Sequence, residues 1–426
     1  MNNGIYKLSD DGKTLLYVTD KNISEAVIPD GVTHIEENAF LWCEALQSID
    51  IPNSVTHIGN GAFQECRELQ SINIPNSVTH IGDRAFSGCD ALRSIDIPNS
   101  VTHIGNSTFS ACYKLQSIEV AEENPYFTSI DGVLFNKDLT QIIRYPEAKN
   151  GNQYIIPDSV THIGNDAFFK CEAIQNINIP NSVTHIGNRA FWCQSLQSIE
   201  VAEDNQYFAS IDGVLFSKDL TQIIRYPRAK NGNQYTIPNS ITHIGDSAFY
   251  WCGALQNINI PNSVTHIGNE AFYWCVALQS IDIPNSVTYI GNSAFSSCSS
   301  LQSIDIPNSV THIGDKAFSY CKTLQSIEIP NSITHIGDEA FYYCEALQSI
   351  DIPDSVTHIG YEAFCGCEAL QSIHIRITDI DSCCVKESAF NDIDFDNCIL
   401  YIPSGTRWAY RHHPVFRSFK NIEIDG

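Results

Sequence analysis

Apolar residues recur along the chain with a period longer than that of a helix or a strand. The frame is I-P-x-x-[VI]-T-H-I-x-x-x-A-F-x-x-C-x-x-[LI]-x-x-I-x, 23 residues long. Twelve copies begin at Ile28, Ile51, Ile74, Ile97, Ile156, Ile179, Ile237, Ile260, Ile283, Ile306, Ile329 and Ile352. Within one copy, Leu46, Ile49 and Ile51 read L-x-x-I-x-I. Alternation predicts a strand with Ile49 and Ile51 inward and Ser48 and Asp50 outward. Pro52 ends it, because proline has no ladder donor. Val55 and Ile58 return to the core, and Gly59 predicts a turn that a Cβ would hinder. Ala62 and Phe63 are predicted to cap the outer side on a short helical turn. Cys66 then leads inward to Leu69 and the next strand. So short a unit cannot bury its apolar face alone, so neighbouring copies must stack.

The departures from the frame are few. The copy at Ile179 lacks one residue between Phe191 and Cys193, Thr108 replaces the Ala, and Tyr289 replaces the His. Two near-identical inserts, 120–155 and 201–236, each predict a hairpin. In the first, Gly132–Phe135 and Thr140–Tyr145 flank the turn Asn136–Leu139. Residues 1–27 hold a worn version, Ile5–Leu8 and Thr14–Val18, expected to close the open edge. The repeats occupy 28–374, and 375–426 read as a C-terminal cap. There Ala389 and Phe390 are a remnant of A-F, and Cys398–Pro403 is expected to be the final strand. Ser404-Gly405-Thr406 introduces a helix through Trp408 and Tyr410.

The I-P-x-S-V-T-x-I-G-x-x-A-F-x-x-C-x-x-L-x-S-I frame resembles the BspA-like, or Treponema pallidum-type, leucine-rich repeats. The D-G-V-L-F…I-I-R-Y-P inserts resemble variant units of that family, and Cys398–Ile422 its terminal segment. The resemblance implies a strand-rich α/β repeat solenoid, a curved right-handed superhelix with hairpin-bearing variant repeats and capped ends. It also implies a bacterial surface or secreted protein, adhesin-like, since some members bind host matrix proteins or other bacteria.

Composition narrows the function classes. The net charge of −25 opposes nucleic acid and anionic lipid and favours cationic partners. No run of about 18 apolar residues predicts membrane insertion. The first residues lack a basic segment, an apolar segment and a cleavage site, so they do not read as a secretory signal. That favours a second reading, an intracellular scaffold or a secreted effector that binds a host protein.

Stacking turns each repeat position into a column. Twelve of the 16 Cys form one, from Cys43 to Cys367. Metal sites prefer short Cys pairs, so the column reads as small buried apolar filler. Cys365–Cys367 and Cys383–Cys384 are closer in sequence, with His374 nearby. Eleven of the 14 His form a second column, flanked by Thr and Ile, and read as an outward surface spine. Metal binding and pH sensing are the alternatives there. A third column is acidic: Asp50, Asp96, Glu119, Glu200, Asp282, Asp305, Glu328 and Asp351, interrupted by Asn73, Asn178 and Asn259. Opposed like charges destabilise a strand pair, so a basic partner or edge solubility must account for them.

The fourth column holds the two residues between A-F and Cys. They are Leu41-Trp42, Tyr250-Trp251, Tyr273-Trp274, Ser319-Tyr320 and Tyr342-Tyr343 in five copies, but Gln64-Glu65 and Ser87-Gly88 elsewhere. A core position would not accept both Trp and Glu, so the strip is in part exposed, as protein contact surfaces are. The candidate partner-binding residues are therefore Asp282, Asp305, Glu328, Asp351, Tyr250, Trp251, Tyr273, Trp274, Tyr320, Tyr342 and Tyr343. No catalytic motif is present, and parallel rows do not converge on one reacting atom. The sequence thus predicts a monomeric, non-enzymatic protein-binding chain with no cofactor and no metal.

Overall fold

A computed structural model describes residues 5–425. Residues 1–4, at the start of the N-terminal hairpin segment, and Gly426, at the end of the C-terminal cap, lie outside the described residues. The chain divides into two compact units, Met1–Tyr207 and Phe208–Gly426. Each is a strand-rich solenoid whose successive coils pair along three ladders, interrupted at the inserts.

The first ladder is the expected strand. In the second unit, parallel strands run from Gln234–Thr236 through Ser280–Asp282, Ser303–Asp305, Ser326–Glu328 and Ser349–Ile352 to Ser372–Ile375. The register is one coil per step, so Ile281 faces Ile304 and Asp282 faces Asp305. Isoleucines point in and Ser and Asp point out, as alternation requires. The first unit repeats the pattern, with Ser94–Ile97 against Ser117–Val120.

The second ladder is one the hydrophobic pattern alone does not announce. Each His-Ile pair is a two-residue parallel strand, His34–Ile35 on His57–Ile58 and His312–Ile313 on His335–Ile336. The isoleucine enters the core and the histidine stays outside. Gly59 follows this strand, and its role differs from the expected turn. A Cβ there would stand 2.7 Å from the backbone N of Glu37 and 2.8 Å from the carbonyl C of Glu36. Close approach of the preceding coil, and not a special φ, requires glycine.

The third ladder replaces the expected helical turn at A-F. The amides of Asn38, Phe40 and Trp42 donate to Asn60, Ala62 and Gln64 of the next coil, at 2.7–3.0 Å. The intervening Ala39, Leu41 and Cys43 donate three residues back within their own coil. A helix would direct every amide along its own axis, to the carbonyl four residues back. Here alternate amides reach the neighbour, and the backbone achieves this by left-handed residues such as Asn38 (φ 59°) and Trp42 (φ 61°). The phenylalanines stack beneath, Phe272 on Phe295 at 5.2 Å and Phe341 on Phe364 at 5.2 Å. The A-F remnant extends the row, with Phe390 at 5.1 Å from Phe364.

Each insert carries a three-stranded meander, one strand more than the predicted hairpin, followed by a first-ladder strand, Gln153–Ile155 or Gln234–Thr236. Phe127–Ile130, Val133–Asn136 and Gln141–Arg144 form an antiparallel meander, and the last joins His162–Ile163 in parallel. The second insert repeats this with Phe208–Ile211, Val214–Ser217 and Gln222–Arg225. Buried Asn124 ties the first meander down. Its Nδ2 donates to Pro98 O and Val101 O, and its Oδ1 accepts from the amides of Tyr126 and Phe127.

At the N-terminus Tyr6–Leu8 pairs antiparallel with Thr14–Val18, which covers the edge of His34–Ile35. At the other end Ile399–Ile402 is not the last strand. Asn421–Ile424 pairs with it in parallel, after the helix Arg407–His412. The Tyr410 hydroxyl of that helix donates to Ile377 O at 2.7 Å.

Candidate partner-binding surface

The four acidic candidates are consecutive in one row. Register places Asp282 beside Asp305, Asp305 beside Glu328, and Glu328 beside Asp351. Neighbouring strands lie about 4.8 Å apart, so Asp305 and Glu328 face like charge on both sides, whereas Asp282 is flanked on one side by Asn259 and Asp351 by His374. Asp282, Asp305 and Glu328 are exposed. Among the described residues, Asp351 alone of the four has a countercharge in contact, the Arg376 guanidinium, whose Nε donates at 2.8 Å.

The aromatic candidates sit on the third ladder, on a different part of the coil from the acids. Tyr250 stacks on Tyr273 at 5.0 Å and Trp251 on Trp274 at 4.5 Å. Farther along, Tyr320 stacks on Tyr343 at 5.6 Å and meets Tyr342 edge-on. The outer members Trp251 and Tyr343 are half-buried, whereas Trp274 and Tyr320 are exposed. The second residue of each pair is left-handed, with φ of 62° at Trp251 and 60° at Trp274. Such backbone is uncommon for bulky residues. The third ladder fixes it, because the same residue must donate to the next coil. The buried Nε1 of Trp251 has no hydrogen-bond partner.

Sequence reasoning missed one member of this strip. Arg228 lies over the Trp251 ring, 4.7 Å from its centroid. The signal was present, since Arg228 stands where the first insert has Glu147. There Glu147 is buried against Arg144 and accepts from the Ala111 amide at 2.6 Å. In the second insert the equivalent Arg225 donates to Ser247 O at 2.8 Å, as Arg144 does to Asp166 O at 2.6 Å, and Arg228 in place of Glu147 stacks on Trp251.

The His column is held rigidly. Thr56 Oγ1 donates to Thr33 O of the previous coil at 3.1 Å and lies 2.8 Å from His57 Nδ1. The rings stack at 4.5 Å for His34–His57 and 4.3 Å for His335–His358. Burial first, and then the imidazoles on either side, hold His57 and His335 below the ordinary histidine value. Among the described residues no three His, Cys, Asp or Glu side chains converge as a metal site would need.

The Cys column is chemically quiet. Most of these thiols donate to the phenylalanine carbonyl of the preceding coil, as Cys66 does to Phe40 O at 3.3 Å and Cys298 to Phe272 O at 3.2 Å, while Cys171 and Cys252 donate to Tyr145 O and Tyr226 O. Burial pushes the thiols of Cys66, Cys252, Cys298 and Cys321 up, to about 12 at Cys252 and Cys321. Such a group supplies no thiolate for nucleophilic or metal chemistry near neutral pH. Of the close pairs, Cys365 meets Asp392 and Cys383 donates to Val356 O, while His374 stacks on Tyr401 at 4.3 Å.

Comparison with known proteins places these surfaces in context. The family model of the BspA type leucine rich repeat region, in six copies, matches residues 16–142, 145–228, 226–348 and 334–408. A leucine-rich repeat protein from Eubacterium ventriosum is 24% identical, covers 91% of each chain and superposes with a TM-score of 0.56. It shows the same solenoid fold. A leucine rich cell surface protein from Faecalibacterium prausnitzii is 29% identical over 88% of this chain and 94% of that one, with a TM-score of 0.48. A leucine-rich repeat protein from Bacteroides ovatus is 27% identical over 89% and 97%, with a TM-score of 0.39. No curated protein matches the chain. No helix among the described residues is long and apolar enough to cross a membrane.

Proposed function

The chain belongs to the BspA-type leucine-rich repeat family, and we propose that it acts as an adhesin-like, non-enzymatic binder of proteins. In this reading it is a surface or secreted chain, as the family resemblance implies, and works as a monomer. Its contacts are the acidic strand face of Asp282, Asp305, Glu328 and Asp351 and the aromatic strip of Tyr250, Trp251, Tyr273, Trp274, Tyr320, Tyr342 and Tyr343. One observation carries the proposal: rings stacked on the third ladder are exposed at Trp274 and Tyr320, where the same position of another copy is Glu65. Aromatic anchors on a rigid scaffold lose little side-chain entropy on binding and dominate protein interfaces. A solenoid presents such positions as an extended surface suited to a large partner.

The test is binding to immobilised extracellular-matrix proteins, for the intact chain, Trp251→Ala/Trp274→Ala and Asp282→Asn/Asp305→Asn. Loss of a ring anchor costs about 2 kcal/mol or more at an interface hot spot, roughly thirtyfold in affinity. The acidic variant should weaken association mainly at low salt. If a captured matrix protein binds both variants as it binds the intact chain, neither surface is the contact.

A further inference from the structure

We infer, building on the reading of the strip as a partner surface, that the slot between Trp274 and Tyr320 receives an arginine side chain of a basic protein partner. Trp251, Trp274, Ser297, Tyr320 and Tyr343 occupy one position on five successive coils. Their φ angles are 62°, 60°, 62°, 59° and 54°, so their side chains leave the backbone alike. Inter-coil bonds lock the row, with Trp274 N on Ser296 O at 2.9 Å and Ser297 N on Ser319 O at 2.7 Å. Four members are rings and the middle one is serine. The ring row therefore lacks a rung.

The size of the vacancy follows from the coil step. Strand-paired coils advance about 4.8 Å, so Trp274 and Tyr320, two coils apart, are about 9.6 Å apart. Beside Ser297 the slot is flanked by Ser296 and Ser319, both small and buried. The two walls are 40% and 41% exposed, as rings with one bare face should be. The same row shows what its rings accept. At its head Arg228 covers Trp251 at 4.7 Å. Two such contacts end to end span about 9.4 Å, the width of the slot. In the other unit Arg189 similarly lies 5.5 Å from the Trp192 ring.

Charge selects the same occupant. Residues 231–315 contain no Lys or Arg, but include Asp246, Glu270, Asp282, Asp305 and Asp315. Beyond them Lys316 and Lys322 are neutralised by Glu339 at 3.2 Å and Glu345 at 2.8 Å. A guanidinium is planar and weakly hydrated and stacks on both faces, whereas an ammonium is a strongly hydrated point charge.

The test titrates the full chain with N-acetyl-arginine amide, N-acetyl-lysine amide and N-acetyl-tyrosine amide at physiological salt, following tryptophan emission. The arginine amide should bind saturably and more tightly than the other two. Trp274→Ala removes one wall and should weaken it about two- to fivefold, the worth of one exposed cation–π contact. Ser297→Tyr supplies the missing rung, using a residue that two copies already carry at this φ, and should abolish the response. Three results overturn the proposal: equal binding of arginine and lysine amides, tighter binding of the tyrosine amide, or an unchanged response in Ser297→Tyr. None of them touches the matrix-binding comparison above. A matrix protein captured equally by Ser297→Tyr and the intact chain, but not by Trp251→Ala/Trp274→Ala, would refute the slot and keep the strip.

Discussion

Gly268→Ala and Gly253→Ala make the same chemical change 15 positions apart, and the coil geometry separates their outcomes. At Gly268 the new Cβ would stand 2.6 Å from Asp246 Oδ1, 2.7 Å from Asp246 N and 2.8 Å from Gly245 C. Carbon contacts relax only at about 3.5–4.0 Å, and two of these atoms are backbone. The coils must part by about 1 Å. That gap is crossed by Gly268 N to Ile244 O at 2.9 Å and Asn269 N to Asp246 Oδ1 at 2.7 Å. Weakening both costs about 1 kcal/mol each, on top of about 1–3 kcal/mol for overpacking. The expected loss is about 3–5 kcal/mol. At Gly253 the Cβ meets only the Val276 Cγ2 methyl at 3.3 Å. Slight strain there is offset by reduced unfolded-state entropy, so the net change should stay within about 1 kcal/mol. Urea and thermal unfolding followed by far-ultraviolet circular dichroism measure both. Because each coil contacts only its neighbours, Gly268→Ala should also split the transition into two. The reasoning fails if Gly268→Ala unfolds within about 1 kcal/mol of the intact chain, or if the two variants are equally destabilised.

Other consequences follow from the columns. His57 and His335 have depressed folded values, so below about 6.5 the unfolded chain binds more protons. Their contribution is present above that pH and is lost as pH falls. The melting temperature should drop from pH 7.5 to pH 5, and His57→Gln/His335→Gln should flatten the slope; an unchanged slope would show that other groups govern it. Cys384 is exposed and the other 15 thiols are buried. A disulfide-exchange reagent at pH 8 should find one fast thiol in the folded chain and 16 after denaturation. Several fast thiols would contradict the buried column. Asp305→Asn relieves repulsion from both Asp282 and Glu328 and should stabilise the chain by about 0.5–1 kcal/mol at low salt. The gain should vanish at 1 M salt, where the screening length is about 3 Å; destabilisation at low salt would mean that Asp305 has a favourable partner.

The repeat, its strand and the inward isoleucines were legible because a 23-residue period repeats without ambiguity. The acidic row was legible too, since register follows from the period. Three things were not. The His-Ile ladder is only two residues long, too short for alternation to register. The A-F segment has the composition of a helical turn, but its alternate amides bond to another coil, a contact that no local propensity encodes. Gly59 was assigned to a turn because sequence shows a glycine but not the backbone that approaches it. At the candidate surface, the rings were recognised from the incompatibility of Trp and Glu at one position. Arg228 was missed because it comes from an insert and reaches Trp251 only once the coils are stacked.

The repeated letters and the variable ones carry different physical burdens. Thr, His, Gly, Phe and Cys each make a bond or contact to the adjacent coil, so a change in one is felt at two interfaces. Asn is tolerated in the acidic column at Asn73, Asn178 and Asn259, so the fold does not require charge there. Four successive carboxylates from Asp282 to Asp351 therefore add repulsion that the coil could do without. The same holds for Trp251 and Trp274 in left-handed backbone, where Gly88 or Gly366 serves at less strain. Both departures raise the free energy of the folded chain, and both fall in coils seven to eleven. A nearest-neighbour array accepts such local costs because the remaining interfaces stay intact. Their coincidence on the same coils is what an attachment surface would require and what a purely structural solenoid would not.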